Sequence, residues 1–547
     1  MNTNKPYKAA APQETVIRIK NIIQRTGLPV REQILGDDNM FFSCRVSITN
    51  DDDFSIGTNG KGMNNEYALA SGYAEFMERL QNRVIVYPNP ASVDSPYRFF
   101  PDEMDYEWSS REEIIKYVKK YTPAALPEEG ITANTLKGRQ ISFLHLNTKE
   151  VKQVPYSLIR WVNGSNGMSS GNILEESLIQ GFCEIFERFA LQQMYLRSIV
   201  PPNVPISTFQ GMEILSWLEK VRLEYGLEYE IKDLSLGKGF PVLGLLVYSS
   251  DRSKYILQLG ADLNPEVALQ RCFTEIFQGY TATTLSFENN VNTCEKFDLF
   301  NEFKRSLTYG RGRLPQSFFC CEPSYEYRGH TSIAIGKTFR EDLSNICQWI
   351  MNKGYDIYIR DNSFLGFPTT HIVIPGMSDI DYHFCRLNRR ILHMDLTENQ
   401  KNPLFSLRHL TTETYMKTIE YIESLDSVGV DLFTRSTNPN NHVNRHLLLM
   451  VLYIRMNDKD KAIHYQQVYN KEHRGGRIIT DELLDKLMEY PYRIFDTILV
   501  PDCFNCESCQ IKKGCRYPLL RKVEDSIQRA MIAFDFDQRH LLNLFYQ

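Results

Sequence analysis

Hydrophobic and polar positions follow two different periods along this chain, and the change between them divides it into two regions. Near the start, ETVIRIKNIIQRTG places its apolar residues on one face of a helix that Gly27 ends. MFFSCRVSIT alternates as a half-buried strand does, and FPVLGLLVYSS, KYILQLGAD, DIYIRD and THIVIPG are rich in residues that strands favour. Strands interleaved with helices predict an α+β (mixed α/β) domain over residues 1–385.

Beyond about residue 385 the pattern becomes mainly helical, and we predict a domain boundary there. Residues 386–547 contain few convincing strands and predict a mainly α-helical C-terminal domain. Within it, HLLLMVLYIRMNDKDKAIHYQQVYNK predicts two helices joined at NDKD. A tetratricopeptide-like unit is one interpretation of this pair, although the support is weak because such arrays need about three units.

One helical stretch, SSGNILEESLIQGFCEIFER (169–188), carries many glutamates for so apolar a helix. KGMNNEYALASGYAEFMER echoes it, and LNPEVALQRCFTEIFQG does so more weakly. Aligning Glu75 with Glu184 gives a shift of 109 residues, which also aligns Glu78 with Glu187. Each copy places a polar row at i, i+4 and i+7, which lies on one helix face. The three rows are Ser71, Glu75 and Glu78; Gln180, Glu184 and Glu187; and Arg271, Glu275 and Gln278.

Two interpretations of these rows are open. Glutamates at i and i+3 usually mark a helix face that water solvates. Three copies at matching offsets, with Ser, Gln and Arg beside the acids, instead favour a shared polar cavity. Clustered carboxylates repel one another and are costly to bury unless they share a hard cation such as Mg²⁺, which usually comes with phosphate oxygens. The residues alone therefore suggest a magnesium–nucleotide or magnesium–phosphate site built from three helices.

Composition and charge narrow the classes of function. Of the 547 residues, 42% are hydrophobic and 24% are charged, and the net charge of −5 gives no electrostatic reason to expect direct nucleic-acid or membrane binding. The longest apolar run, Leu447 to Ile454, is far shorter than the roughly 20 residues that a membrane span needs. The N-terminal MNTNKPYKAAAPQE has no apolar signal core, so we expect a cytoplasmic protein.

The twelve cysteines form two groups. Eight are scattered through the first 400 residues, and we expect them to be reduced thiols. Four near the end have C-x2-C-x2-C-x5-C spacing, which favours metal ligation, with zinc as the first choice and an iron–sulfur cluster as the second. Four free surface thiols are the alternative. These residues are Cys503, Cys506, Cys509 and Cys515.

Two glycine-containing stretches invite comparison with phosphate-binding loops. GHTSIAIGKT, Gly329 to Thr338, has six residues between Gly and Gly-Lys-Thr where the P-loop has four, so we reject that interpretation. GTNGKG, Gly57 to Gly62, precedes a predicted helix, and its backbone N–H groups together with Lys61 suit a phosphate cradle. A plain strand-to-helix turn explains the second stretch equally well.

Four motifs occur in the order NGKGMNNEYALASGYAEFMERL, SNGMSSGNILEESLIQGFCEIFERFA, PEVALQRCFTEIFQG and IVIPGMSDI, and together they resemble the YcaO superfamily over roughly residues 5–385. Within it, the chain is most similar to the accessory factors for methylthiolation of ribosomal protein S12. The resemblance implies ATP and Mg²⁺ bound between the acid-bearing helices. It also implies amide activation, in which a nucleophile adds to a backbone carbonyl, ATP phosphorylates the oxygen, and phosphate leaves. A side chain as nucleophile gives an azoline, and external sulfide gives a thioamide.

The resemblance also implies a set of site residues, taken position by position. Arg188 and Arg271 would face phosphate charge, and no residue is singled out as a general base. Glu175 is interpreted as a structural or surface residue. The implied magnesium ligands are Glu75, Glu78, Glu176, Glu184 and Glu187. The implied nucleotide-binding set is Lys8, Thr15, Ser71, Glu75, Glu78, Asn172, Glu176, Glu184, Glu187, Arg188, Arg271 and Glu275.

The C-terminal RHLLNLFYQ differs from the Pro-rich tail that azoline-forming members often insert into the active site. We therefore expect an ATP-hydrolysing, amide-activating enzyme of the YcaO type that is connected with S12 methylthiolation. The alternatives are a non-catalytic ATP-binding accessory or scaffold protein for the S12 methylthiotransferase, and a thioamide-forming peptide-modifying enzyme. The expected partners are ATP and either that methylthiotransferase or a peptide or protein substrate, and the expected assembly is a homodimer.

Overall fold

A computed structural model describes most of the chain. The described residues are 7–35, 42–49, 55–85, 100–107, 110–121, 137–276, 288–289, 298–380, 412–423, 429–431, 442–472, 478–491 and 517–545. Among them, no helix is both long enough and apolar enough to cross a membrane.

The described strands and helices alternate up to residue 380, as the sequence predicts. The strands are β1 (Val30–Ile34), β2 (Phe42–Thr49), β3 (Ser55–Gly62), β4 (Met104–Glu107), β5 (Lys137–His145), β6 (Glu150–Pro155), β7 (Met168–Ser170), β8 (Leu227–Asp233), β9 (Val242–Ser249), β10 (Lys254–Ala261), β11 (Glu288–Asn289), β12 (Tyr358–Asp361), β13 (Thr369–Val373), β14 (Gly429–Asp431) and β15 (His442–Asn444). The helices of this part are α1 (Pro12–Thr26), α2 (Asn65–Gln81), α3 (Arg111–Tyr121), α4 (Tyr156–Asn163), α5 (Leu174–Leu196), α6 (Ile214–Tyr225), α7 (Pro265–Ile276), α8 (Leu299–Tyr309), α9 (Ser317–Cys320) and α10 (Phe339–Asn352).

Local sequence signals explain where several helices begin and end. Gly27 ends α1 in the left-handed conformation with φ of 70°, which confirms the predicted helix end. Asn64 caps α2 because its side chain accepts a hydrogen bond from the backbone N–H of Tyr67. Thr338 caps α10 in the same way, and it is the last residue of the rejected P-loop stretch.

Up to residue 380, three sheets contain the described strands, and a fourth sheet pairs β14 with β15; neighbouring strands are antiparallel in all four. The orders are β1-β2-β3, then β4-β5-β12-β13-β7 with β6 also paired to β5, and β11-β10-β9-β8. In the second sheet, Thr370 of β13 lies opposite Ser169 of β7 and also opposite Asp361 of β12. The predicted α+β (mixed α/β) class is confirmed.

The internal echo corresponds to three strand–helix units, namely β3–α2, β7–α5 and β10–α7. In the first unit, a Cβ at Gly60 would lie 2.0 Å from the carbonyl oxygen of Ala68, and in the third unit a Cβ at Gly260 would lie 2.3 Å from that of Ala268. The second unit has Ser169 at this position, and its Oγ donates a hydrogen bond of 2.7 Å to the Ser177 carbonyl. Each strand therefore packs closely on the first turns of its helix.

The stretch Gly57–Gly62 does not form the phosphate-binding turn that was one of its two interpretations. It lies within β3, and its residues pair with β2, with Gly62 opposite Phe42. Its glycines allow α2 to approach the strand, since a Cβ at Gly62 would lie 2.5 Å from the backbone nitrogen of Ala68. The stretch therefore has the alternating backbone of an edge strand, in which every second N–H is directed to β2, and not the convergent N–H groups of a turn at the start of a helix.

The described C-terminal residues fall into two parts. Helices Thr412–Glu423, Arg445–Arg455, Lys459–Glu472 and Asp481–Glu489 share a core of their own, and the middle two confirm the predicted helical pair. The helix Tyr517–Ile532 instead packs Val523, Ile527 and Met531 into the core of α1 and α2. The predicted boundary at residue 385 lies outside the described residues and stays a prediction, as does the tetratricopeptide-like interpretation.

Candidate functional site

The polar rows of α2, α5 and α7 meet in one network of charges. On α2, Arg79 lies 3.3 Å from carboxylate oxygens of both Glu75 and Glu78. On α5, Arg188 pairs with Glu184 at 2.5 Å. Two further contacts join separate units: Lys61 of β3 forms an ion pair with Glu275 of α7, and Arg271 of α7 donates a 2.6 Å hydrogen bond to Gln180 of α5. All three units therefore contribute to the network.

Burial and like charges make the acids of this network difficult to ionise. The pKa of Glu78 lies well above its usual value, chiefly because of burial, and Glu184 and Glu75 add repulsion that Arg79 only partly offsets. Burial likewise raises the pKa of Glu187, although Arg271 and Lys61 oppose the shift. Carboxylates in such surroundings gain most from a cation that binds among them.

Burial also affects the basic residues of the network. Burial lowers the pKa of Lys61 to about 8 despite the opposing field of Glu187. Within the described part of the network, Nε of Arg271 and Oε1 of Glu78 are buried atoms that make no hydrogen bond, although Oε1 of Glu78 lies 3.3 Å from Arg79. An unpartnered guanidinium N–H suits a phosphate oxygen, and a carboxylate oxygen that accepts no hydrogen bond suits a metal ion. The residues present therefore fit a magnesium nucleotide.

A second group of predicted residues lies at the N-terminal end of α5. The Oγ1 of Thr15 donates a 2.8 Å hydrogen bond to Oδ1 of Asn172, and Nδ2 of Asn172 lies 3.4 Å from Oε2 of Glu176. Nζ of Lys8 lies 3.5 Å from Oε1 of Glu176. The structure thus brings four of the predicted residues together here, with Glu176 apart from the other predicted metal ligands.

The remaining predicted residues either lie on α2 and α5 or fall outside the described part of the chain. Ser71 is half-buried on α2, one turn before Glu75, and Glu175 is half-buried in the first turn of α5. Gln278 and the four C-terminal cysteines lie outside the described residues, so the zinc or iron–sulfur prediction stays a prediction. Within the described ranges, no group of three or more His, Cys, Asp or Glu side chains is gathered closely enough to hold a metal ion.

The arrangement of the described carboxylates indicates how magnesium would bind. Glu75 and Glu78 pair with Arg79, Glu184 pairs with Arg188, and Glu275 pairs with Lys61, instead of converging on one point. Mg²⁺ is commonly held by one or two carboxylates together with substrate phosphates and water, and only rarely by a complete protein cage.

A cavity of about 770 Å³ lies elsewhere, between β5–β6 and residues 534–539, and none of the predicted site residues line it.

Sequence reasoning missed two members of the network. Arg79 bridges Glu75 and Glu78, and it occupies the position that the shift of 109 residues aligns with Arg188, so the echo itself offered a signal for it. Lys61 was considered only as a charge beside a glycine turn. Its pairing with Glu275 joins residues more than 200 positions apart, and periodicity within one element carries no signal for such a contact.

Comparison with known proteins agrees with this arrangement. Residues 59–378 match the family model of the YcaO cyclodehydratases, described as ATP- and Mg²⁺-binding. The chain is 24% identical over 450 residues to the ribosomal protein S12 methylthiotransferase accessory factor YcaO of Escherichia coli, covering 79% of this chain and 75% of that protein. It is also 26% identical over 414 residues to an uncharacterized protein of Haemophilus influenzae, covering 69% of this chain and 66% of that protein.

Among solved structures, a heterocyclase in complex with substrate and cofactor is similar, with a TM-score of 0.50 and 17% identity. The similarity covers 69% of this chain but 54% of the heterocyclase, so this chain spans about half the length of that protein. At this identity the likeness supports the fold only. The family model, in contrast, matches more than half of the chain, and the chain therefore belongs to the YcaO family.

Proposed function

We propose that this protein binds Mg-ATP among the acids of α2, α5 and α7 and uses it to phosphorylate the oxygen of a peptide amide or a related acyl group. The observation that carries the proposal is the convergence of three polar helix faces into one half-buried network, with Glu78 and Glu187 hard to ionise there. The family's description as ATP- and Mg²⁺-binding cyclodehydratases supports the choice of ligand.

The residues divide into two roles in this proposal. Glu75, Glu78, Glu184 and Glu187 would hold magnesium, which supplies positive charge to the phosphates when it is bound. Arg188 and Arg271, with Lys61 and Lys8 nearby, would neutralise the remaining phosphate charge. Phosphoryl transfer depends mainly on such positioning and charge neutralisation, so a site of this kind can act without covalent participation by the protein.

The proposed chemistry balances without an oxidant or a reductant. A nucleophile adds to the carbonyl carbon and loses its proton, which leaves negative charge on the former carbonyl oxygen. That oxygen attacks the γ-phosphorus of ATP, and ADP leaves. Loss of phosphate, together with a proton from the nitrogen or the nucleophile, then removes the original amide oxygen from the substrate. The nucleophile is a neighbouring side chain in the azoline case and external sulfide in the thioamide case.

Similarity to the S12 methylthiotransferase accessory factor of Escherichia coli favours ribosomal protein S12 as the system that this protein serves. The same similarity supports a second function, in which the protein binds ATP and assists the methylthiotransferase without touching an amide. We further propose a cytoplasmic location, a homodimer, and zinc or an iron–sulfur cluster at the four C-terminal cysteines.

The fate of the amide oxygen distinguishes the two functions. We would prepare S12 with ¹⁸O in its backbone carbonyls, incubate it with the protein, ATP and Mg²⁺, and analyse the released phosphate by mass spectrometry. Amide activation transfers ¹⁸O to phosphate. An accessory ATPase takes the fourth oxygen of the released phosphate from water, so its phosphate contains no ¹⁸O. Phosphate without ¹⁸O, from S12 that has been converted to product, would exclude amide activation of S12.

A companion experiment tests the connection to S12 in cells. Mass spectrometry of S12 from cells with and without the gene should show methylthiolation only when the gene is present. Re-expression of the wild-type protein should restore the modification, and Glu187→Gln should not restore it. Unchanged S12 in the deletion strain would remove the S12 assignment while leaving ATP-dependent amide activation of another substrate to be tested.

A further inference from the structure

The N-terminal segment of the protein, residues 7–18, is fastened to the start of α5 by several bonds. The backbone N–H of Ala9 donates a 2.9 Å hydrogen bond to Oε2 of Glu176. Arg18 donates 2.9 Å and 2.8 Å hydrogen bonds to the carbonyl oxygens of Asn172 and Gly366. With the bond from Thr15 to Asn172, these contacts hold the segment in one place beside the acid network.

Glu176 is the centre of this attachment. Its side chain is only 6% exposed, and a carboxylate so deeply buried requires partners for its charge. Its Oε2 accepts from Ala9, while its Oε1 faces the ammonium group of Lys8 at 3.5 Å. A magnesium ion bound about 2.1 Å from the same carboxylate would occupy the space next to Lys8, where the two positive charges repel.

Position along the helix also separates Glu176 from the other acids. Glu184 follows it by eight residues, which corresponds to about 12 Å along an α-helix. The charge that acts most strongly on Glu78 is Arg79 and on Glu187 is Arg271, and Glu176 is not among the main charges that act on either acid. One magnesium ion with ligands about 2.1 Å away cannot be shared by side chains at both ends of that interval, whereas a nucleotide is long enough to span it.

Lys8 lies within electrostatic reach of a second cation, Arg271. Burial lowers the pKa of Lys8, but Tyr7 and Glu176 raise it more, and Arg271 opposes them. The Arg271 guanidinium has a buried N–H without a partner in the described residues. Two cations held near each other favour an anion between them.

We propose that Glu176 is a positioning residue that holds the N-terminal segment and Lys8 beside Arg271, so that both cations meet the phosphates of the nucleotide, and that Glu176 does not ligate magnesium. This inference rests on the proposed function because it assumes a nucleotide at this site. It differs from the sequence prediction, in which Glu176 belongs to the magnesium ligands.

A double-mutant cycle tests the coupling. Calorimetry would measure the affinity of the full-length protein for a non-hydrolysable ATP analogue with Mg²⁺, in Glu176→Gln, Lys8→Met and the double variant. Lys8→Met removes a charge-assisted contact with the nucleotide, and Glu176→Gln weakens the same contact by releasing Lys8. Each single substitution should therefore weaken binding about tenfold. The double variant should be no weaker than Lys8→Met alone, since Glu176 acts through Lys8.

The magnesium requirement separates the two roles. The Mg²⁺ concentration for half-maximal binding should be unchanged in Glu176→Gln and should rise in the matched variant Glu184→Gln. A rise in Glu176→Gln as large as that in Glu184→Gln, or additive losses in the cycle, would overturn the inference.

Hydrogen exchange supplies a readout that does not depend on nucleotide. Backbone amides of residues 7–18 should exchange faster in Glu176→Gln than in wild type, and Glu184→Gln should leave them unchanged. Failure of the wild-type protein to bind Mg-ATP at all would remove the proposed function and this inference together. Normal binding with unchanged exchange in Glu176→Gln would remove this inference alone.

Discussion

At the residue scale, the charges between α2, α5 and α7 do not favour the stability of the ligand-free fold. Burial raises the pKa values of Glu78 and Glu187 and lowers that of Lys61 to about 8, so each charged form is held at a cost. Buried polar groups that weaken a fold are expected where they serve binding or catalysis. These residues are therefore better explained by a charged ligand than by packing.

Arg271 gives a prediction at this scale. Arg271→Lys keeps the positive charge but loses the planar fork that bonds Gln180 and presents a buried N–H. We expect ATP affinity to fall about tenfold, equivalent to one charge-assisted hydrogen bond, in a calorimetric titration. The control is Arg222→Lys, at an exposed pair with Glu219, which should bind as wild type does. Equal affinities in both variants would contradict the role given to Arg271.

At the scale of elements, the unit of construction is a strand followed closely by a helix. Gly60 and Gly260 allow β3 and β10 to touch the first turns of α2 and α7, and this contact fixes the directions of the polar helix faces. Only a residue without Cβ fits at a separation of 2.0 Å from a carbonyl oxygen, so these glycines serve close packing.

Gly60→Ala tests that role. The added Cβ overlaps the Ala68 carbonyl oxygen and must displace α2, so we expect a loss of about 1–3 kcal/mol in stability together with weaker ATP binding. Thermal unfolding and calorimetry would measure the two effects. Gly354→Ala is the control, because its φ of 83° strains the backbone beyond α10 while its Cβ meets nothing within 4 Å. The control should lose stability without losing affinity for ATP.

The same elements show what the sequence could predict and what it could not. Helix and strand periods predicted α1, β9, β10 and the helical pair after Arg445, because those patterns depend on neighbours within one element. GTNGKG was ambiguous, since glycines that permit close packing and glycines that permit a turn have the same composition. The pairing of Lys61 with Glu275 depends on how separate units pack, which periodicity does not encode.

At the scale of the whole molecule, the described end of the chain is part of the same body as its beginning. Arg83, just after α2, forms a buried two-bond ion pair with Glu524, with distances of 2.8 and 2.5 Å. The two residues are separated by 441 positions. Further on, Gln538 accepts a 2.6 Å hydrogen bond from the backbone N–H of Asp361, so residues 517–545 are attached to both α2 and β12.

The buried pair predicts an asymmetric response to mutation. Glu524→Gln leaves the Arg83 guanidinium buried without its counter-charge, and we expect a loss of about 3–5 kcal/mol in the free energy of unfolding, measured by chemical denaturation. Replacing both residues, with Arg83→Met and Glu524→Leu, should restore most of the loss. A double variant as unstable as Glu524→Gln would argue that the pair itself contributes the stability.

His540 predicts a dependence on pH. Its hydrogen bond to Asp361 raises the pKa of the imidazole above the ordinary value. A raised histidine pKa contributes stability that is complete below the unfolded pKa of about 6.5 and is lost as pH rises through the folded value. The difference in thermal midpoint between wild type and His540→Asn should therefore shrink as the pH rises above about 6.5. A constant difference would contradict this assignment.

The central claim is that the acids of three convergent helices bind Mg-ATP. Calorimetric titration of the purified protein with a non-hydrolysable ATP analogue and Mg²⁺ tests it most directly, using Glu187→Gln and the matched control Glu175→Gln on the same helix. We predict binding by wild type and Glu175→Gln and no measurable binding by Glu187→Gln. Equal affinity in all three proteins would contradict the claim.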